Sequence, residues 1–261
     1  MAIPPLAAEP LFHIGALSVT NAMVNGWIAL AFFVGVAGAI RARVTRIPRG
    51  LQNVAEWLLE RLLEFFDQVT RERAKSERFL PFVGTLFFFI LFSNWIGILP
   101  GIGSIGMWLR VHGEIELVPL FRPVNSDLNM TLAMGVLAVT LSHVFGIVTV
   151  GFFKHVGKFI QLGHIFRSLT KGPLAIFSAV IEFFVGLLEI ISEIAKMVSL
   201  SLRLFGNIFA GEVLLTVMAG LVAVLVPLPF MALELIVGLI QAMVFAMLTL
   251  VYLTVATSEP H

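Results

Sequence analysis

The residues able to do chemistry in this chain are few, and they sit where so apolar a sequence should not carry them. Along residues 174–226 the polar side chains include Glu182, Glu189, Glu193, Lys196, Arg203, Asn207 and Glu212, at successive spacings of 7, 4, 3, 7, 4 and 5. At about 100° per residue, the first six of a helix so spaced stay within roughly 80° of one another. They form a continuous polar seam, and Glu212 lies about 120° from Glu182, off the stripe. Arg203 stands apart: Lys196 is seven residues back, Glu212 is nine ahead, and 197–211 is otherwise uncharged. Its guanidinium is a permanent charge, and an arginine at the middle of a membrane helix costs about 3 kcal/mol on insertion scales. No carboxylate sits at i±3 or i±4, so its counter-charge must come from another helix or another chain. The set Glu189–Glu193–Lys196 also admits a structural reading, as i,i+3 and i,i+4 pairs that stabilise a helix at the membrane edge.

A second helix, about 230–256, carries Glu234 and Gln241, seven apart and so on one face. A simple hairpin turning at Pro227 sets Gln241 opposite about residue 214, nearer Glu212 than Arg203. Glu212, Glu234, Gln241 and Asn207 would then frame a shared polar pathway. His143 has no second imidazole or carboxylate at i+3 or i+4, which favours packing or a helix–helix hydrogen bond over metal binding. His155 and His164 flank basic residues and read as solvated. There are no cysteines, which excludes thiolate metal sites and Cys nucleophiles. No phosphate-cradling glycine loop or zinc-protease motif occurs, so no cofactor, metal or nucleotide is expected.

The elements that position these residues follow from composition. Of 261 residues, 59% are hydrophobic and 13% charged, against roughly 25% charged in soluble domains. Mean hydropathy is +1.00. These values exclude a soluble enzyme and a disordered chain, and a net charge of +1 leaves no basic footprint for a nucleic acid. No Lys or Arg precedes Arg41, so neither a cleavable signal nor a transit peptide is expected. The class is an all-α integral membrane protein in a single domain, 1–261. An external segment (1–18) leads into spans at 19–40, 79–100 and 128–153. Two long helices, 174–226 and 230–256, bring the total to about five membrane helices. Fifty-three helical residues would run about 80 Å, against a hydrocarbon core of about 30 Å. The first of the two must therefore tilt steeply or bend at Gly186, Gly206, Gly211 or Gly220. Residues 51–78 read as an amphipathic helix, with Val54, Trp57, Leu58, Leu62, Phe65, Phe66 and Val69 on one stripe. Nine basic residues in 41–78, and four more in 154–171, place those loops in the cytoplasm. The N-terminus is then external and the C-terminus cytoplasmic.

The seam also carries a signature. Ser199-Leu200-Ser201-Leu202-Arg203-Leu204-Phe205-Gly206-Asn207, followed by Ala210-Gly211-Glu212, resembles the arginine motif of the bacterial a subunit of F-type ATP synthase. Leu11–Ile14, Pro48–Asn53 with Glu56, Phe79–Gly101, Pro123–Leu132, and Gln241-Ala242 through Tyr252-Leu253 agree in the same order. The resemblance spans about 11–257. It implies a non-catalytic, proton-translocating stator subunit of the bacterial plasma (inner) membrane, multi-pass, held against a ring of c subunits and beside the b-subunit peripheral stalk. Each c subunit bears a buried carboxylate. The family's arginine matches Arg203, which would attract that carboxylate and separate two offset half-channels. Outer-channel positions match Asn207, Glu212, Glu234 and Gln241. The cytoplasmic position matches Glu189, with Glu193 and Ser199 nearby. The family sets Gln241 beside the arginine, against the hairpin argument above. Many relatives carry histidine at one of the positions matching Glu212 and Glu234, and here both are glutamate.

Two other classes remain. A stand-alone channel or secondary transporter with an arginine gate needs its own carboxylate facing Arg203. A membrane-embedded enzyme needs a clustered catalytic constellation, whereas only scattered single residues are present.

Overall fold

The computed structural model describes residues 5–15, 17–99, 105–111, 114–159, 173–221 and 226–258. In chain order the elements are strands β1 (Pro10–Ile14) and β2 (Leu17–Thr20), then helices α1 (Asn21–Ala42), α2 (Leu51–Thr70) and α3 (Arg73–Ile98). Strands β3 (Gly106–Val111) and β4 (Glu114–Pro119) follow, then a short 3₁₀ turn at Val124–Ser126. Helices α4 (Leu128–Val150), α5 (Phe152–Phe159), α6 (Pro173–Leu221) and α7 (Pro227–Thr257) complete the chain. By length and composition α1, α3, α4 and α7 could each cross a bilayer.

The two antiparallel hairpins, β1–β2 and β3–β4, depart from an all-α reading. β1–β2 lies in the N-terminal segment ahead of α1 and β3–β4 between α3 and the 3₁₀ turn, outside the apolar helices, where strand edges need no helical satisfaction of the backbone. Pattern arguments tuned to lipid-spanning helices pass over such short strands.

Several boundaries move for local reasons. The segment expected as one amphipathic helix at 51–78 is two. Arg71 takes a left-handed conformation (φ 55°), so α2 stops at Thr70 and α3 begins at Arg73. The Thr70 and Ser76 hydroxyls, 2.6 Å apart, staple the corner. At its start, Gln52 accepts from Thr45 N (3.0 Å) and donates to Thr45 O (2.9 Å) and Glu56 Oε1 (2.7 Å). The PRGLQN stretch with Glu56 therefore fixes the α1–α2 corner. Leu62, Leu63 and Phe66 are buried, whereas Val54, Trp57 and Leu58 at the other end of α2 are exposed. Asp127 caps α4 by accepting from Asn129 N (2.9 Å). Gly151 (φ 96°) ends that helix three residues short of the expected Phe153.

Helix α6 is a single run of 49 residues, about 74 Å at 1.5 Å per residue. None of Gly186, Gly206, Gly211 or Gly220 interrupts it. Helix α7 begins at Pro227, three residues earlier than expected. Proline lacks only an amide hydrogen that the first turn leaves unpaired in any case, so Pro227 starts a helix where a turn was expected.

Helix α3 packs chiefly on α7, and α4 packs on both α6 and α7. The core between them includes Phe66, Phe79, Ile90, Leu204, Phe245 and Leu250. The α4–α6 contact depends on Gly135, where a Cβ would land on Ser201 Oγ and within 2.9 Å of Met197 O. Overpacking of this kind costs about 1–3 kcal/mol. Gly135→Ala should therefore lower the unfolding temperature in detergent by several degrees. Gly35→Ala, at an α1 position with nothing within 4 Å, should leave it unchanged. Equal behaviour of the two variants would contradict the close α4–α6 approach.

Candidate functional site

Helix α6 divides along its length into a held face and a free one. Leu200, Ser201, Leu204, Phe205, Ile208 and Gly211 are buried. Ser199, Leu202, Arg203, Gly206, Asn207 and Ala210 are exposed, at the i, i+3, i+4, i+7 spacing of one stripe. Arg203 thus stands on the unoccupied flank. Among the described residues it makes no hydrogen bond or ion pair.

Its nearest polar company comes from α7. Leu200, Arg203, Leu204, Gln241, Val244 and Phe245 line one shallow concavity, so Gln241 lies beside the arginine and not opposite residue 214. Further along, Gly211 faces Glu234, whose carboxylate occupies the place of a Cβ at that position. The register is consistent along the contact, one helix rising as the other falls. The hairpin argument misplaced Gln241 because it put the turn at Pro227, whereas α6 ends at Leu221 and α7 has already begun at Pro227.

Glu212 has a partner that its sequence position does not reveal. Its carboxylate pairs with Arg122, whose Nε lies 3.2 Å from Oε1, and Arg122 is only 3% exposed. Arg122 went unnoticed as a site residue because it reads as an ordinary loop charge. The stretch Pro123–Leu132 that follows it was the only signal. Nearby, Asn94 Nδ2 donates to Gly238 O (3.1 Å), and Asn125 Nδ2 donates to Asn94 Oδ1 (2.6 Å). Asn25 Nδ2 donates to Arg122 O (2.8 Å). This buried amide chain ties α1, the 3₁₀ turn, α3 and α7 together beside Glu212 and Glu234.

On the other side of Arg203 lies a second cluster. Lys196 Nζ is 2.6 Å from Glu193 Oε1 and 5.3 Å from the centre of the Tyr252 ring. His143 Nε2 lies 3.5 Å from Glu193 Oε2, and its Nδ1 is 3.1 Å from His155 Nε2. His143 thus makes helix–helix contacts. His155 corrects the expectation of a solvated residue: it is 4% exposed, and its ring packs on Gly146 where a side chain would collide with it. Glu189 is half-buried on the same helix, and Ser199 is exposed. His164 and the side chain of Glu182 lie outside the described residues.

Glu193 and Glu212 are ten and nine residues from Arg203 along a continuous helix, about 15 and about 14 Å at 1.5 Å per residue. The two ionisable clusters are therefore too far apart for direct proton exchange, and the permanent charge of Arg203 lies between them. Among the described residues no group of three or more His, Cys, Asp or Glu could hold a metal.

Comparison with known proteins decides what this arrangement belongs to. The family described as ATP synthase A chain matches residues 22–254. The chain belongs to that family. ATP synthase subunit a of Moorella thermoacetica is 33% identical over 245 residues, covering 93% of each chain. That of Campylobacter curvus is 34% identical over 227 residues, 87% of this chain and 86% of the relative. That of Gloeobacter violaceus is 33% identical over 252 residues, 95% and 88% respectively. As a family member with several long apolar helices, the chain is a multi-pass membrane protein.

The α6–α7 register can be read chemically, because the chain is free of cysteine. A short bis-maleimide should link Leu204→Cys to Gln241→Cys within one chain and leave Glu212→Cys with Gln241→Cys unlinked, as read by mobility on a denaturing gel. The reverse pattern would restore the hairpin that turns at Pro227.

Proposed function

We propose that this chain is the proton-translocating, non-catalytic membrane subunit of a rotary ATP synthase, and that Arg203 separates two half-channels to and from a carboxylate on a neighbouring ring of c subunits. The observation that carries the reading is an uncompensated permanent charge. Arg203 projects from the flank of a helix in a membrane protein, and no carboxylate of the described residues pairs with it. Leaving such a charge without a counter-ion in hydrocarbon is costly, so the partner must be carried by another chain. The exposed stripe around it, with Gly206 and Ala210, offers small side chains that permit close approach of a second helix.

The mechanism follows from charge and burial. A proton enters on one side past Glu234, Asn207 and Gln241, with the Arg122–Glu212 pair at the flank. It neutralises a ring carboxylate, which can then turn into lipid because a neutral carboxyl costs far less there than an ionised one. After the rotation the carboxyl loses its proton toward Glu189, Glu193 and Ser199 and returns as an anion to Arg203. The arginine cannot accept a proton, so it attracts the anion and blocks direct passage between the two sides. The five-span arrangement with a steeply tilted α6–α7 pair, an external N-terminus, a cytoplasmic C-terminus and a b-subunit stalk alongside belongs to the same proposal. A stand-alone arginine-gated channel would need the matching carboxylate within this chain.

Arg203→Ala in the assembled complex should abolish ATP-driven acidification of inverted membrane vesicles while the complex still purifies with its c ring. Coupled pumping retained in that variant would contradict the mechanism.

A further inference from the structure

Glu212 and Glu234 are the same chemical group in two different settings, and the settings divide their work. Arg122 is buried, and each of its three nitrogens donates a hydrogen bond. Its Nη1 donates to Ala7 O (3.0 Å), its Nη2 to Pro5 O (2.8 Å), and its Nε to Ser126 Oγ (3.1 Å) and to the Glu212 carboxylate (3.3 Å to Oε2). One guanidinium thereby joins the N-terminal segment, the turn before α4, and α6. It is a permanent cation, so a proton placed on Glu212 would take away its ion-pair partner; the other carboxylate within electrostatic reach of Glu212 is Glu9, on the same N-terminal segment. Breaking one partner of a buried pair is among the costliest single changes a protein can suffer. Glu212 is thereby held by a fixed partner.

Glu234 has no such commitment. It is 7% exposed on α7, in the space that Gly211 leaves by lacking a Cβ. Among the described residues neither a cation nor a hydrogen-bond donor reaches its carboxylate. The α3 donors that reach α7 beside it are spent on backbone: Trp95 Nε1 donates to Leu235 O (3.1 Å) and Asn94 Nδ2 to Gly238 O (3.1 Å). From the neighbouring helices the titratable company is sparse. Helix α3 has no charged residue from Phe79 to Ile98, and α4 has only His143, toward its far end beside Glu193. On α6 the neighbour is Glu212, already paired with Arg122. A relay must take up a proton and release it with similar ease. A carboxylate without a fixed partner can do both, whereas one clasped to a buried cation cannot.

We infer that Glu234 alone is the proton relay on this side of Arg203, and that Arg122 and Glu212 form a permanently charged clasp that holds the N-terminal segment and the turn before α4 onto α6. The proton passes from water to the Glu234 carboxylate, and from the resulting carboxyl to the ionised ring carboxylate, which restores the Glu234 anion. This assignment rests on the proton-pathway reading above. It makes Arg122 a positioning residue, charged throughout the cycle.

The test uses the whole ATP synthase in inverted vesicles, with ATP-driven acidification and recovery of the assembled complex measured together. Glu234→Gln should assemble normally and lose at least about a hundredfold in pumping, the lower end of the usual contribution of a positioned acid–base group. Glu234→Asp, which keeps the titratable group, should retain measurable pumping with a shifted pH profile. Glu212→Gln alone should reduce the recovered complex, because it strands Arg122. The double variant Arg122→Gln with Glu212→Gln removes both charges together, and should recover assembly and most of the pumping lost by the single variant. Native-rate pumping by Glu234→Gln would overturn the assignment. So would a double variant that assembles without pumping, which would return the relay to Glu212. A double variant that fails to assemble would overturn the clasp, since a neutral hydrogen-bonded pair should substitute for it. Arg203→Ala in the same vesicles keeps two failures apart. Pumping there removes the pathway reading itself, whereas loss there with pumping in Glu234→Gln removes only the relay assignment.

Discussion

A permanent cation on the flank of a long helix, unneutralised by its own chain, is the constraint on which the rest of this structure depends. Arg203 has no ion pair or hydrogen bond among the described residues and faces outward from α6. An arginine does not escape burial by losing a proton, as a lysine can, and it has no neutral form to reach by gaining one, as a carboxylate has. A membrane protein that keeps one at such a place must meet it with an anion from outside. The proposed ring carboxylate supplies that anion, and does so intermittently, because the same group must also become neutral to cross lipid.

The packing serves this exposure. Helices α4 and α7 hold the opposite face of α6, with Gly135 allowing the backbone of α4 to approach Ser201 and Met197 closely. Leu200, Leu204 and Phe245 fill the contact under the arginine, and Gln241 reaches the same concavity from α7. Polar groups are then sorted to either side. A chain of buried amides, Asn25, Asn94 and Asn125, stiffens the end that carries Glu234. The opposite end carries Glu193 with Lys196, His143 and His155. Neither cluster reaches the arginine between them.

The sequence reveals much of this and hides the rest for identifiable reasons. The polar seam is legible because charge is so scarce that six polar residues at helical spacing stand out. The long apolar runs are legible for the same reason, and α1, α3, α4 and α7 fall on them with ends displaced by a few residues. Those displacements come from single backbone choices, a left-handed Arg71, a glycine at 151 and a proline that begins a helix, which hydropathy does not sense. The placement of Gln241 fails because a hairpin register depends on where the turn is centred, and a few residues of error there carry through the whole contact. Arg122 and His155 are missed because a loop residue next to proline and a histidine beside lysine both look solvated until the tertiary structure covers them. The division between Glu212 and Glu234 is invisible to spacing, since the cation that distinguishes them is 90 residues away in sequence.

The central claim is that Arg203 is a barrier as well as an attractor, and passive conduction with rotation prevented tests it most directly. Membranes stripped of the soluble ATPase sector, with the ring crosslinked so that it cannot turn, should be impermeable to protons when the chain is native. With Arg203→Ala and the ring locked in the same way, protons should leak between the two sides, since ring carboxylates and water can then bridge them without rotation. A native complex that conducts freely with its ring locked, or an Arg203→Ala complex as tight as the native one, would contradict the account.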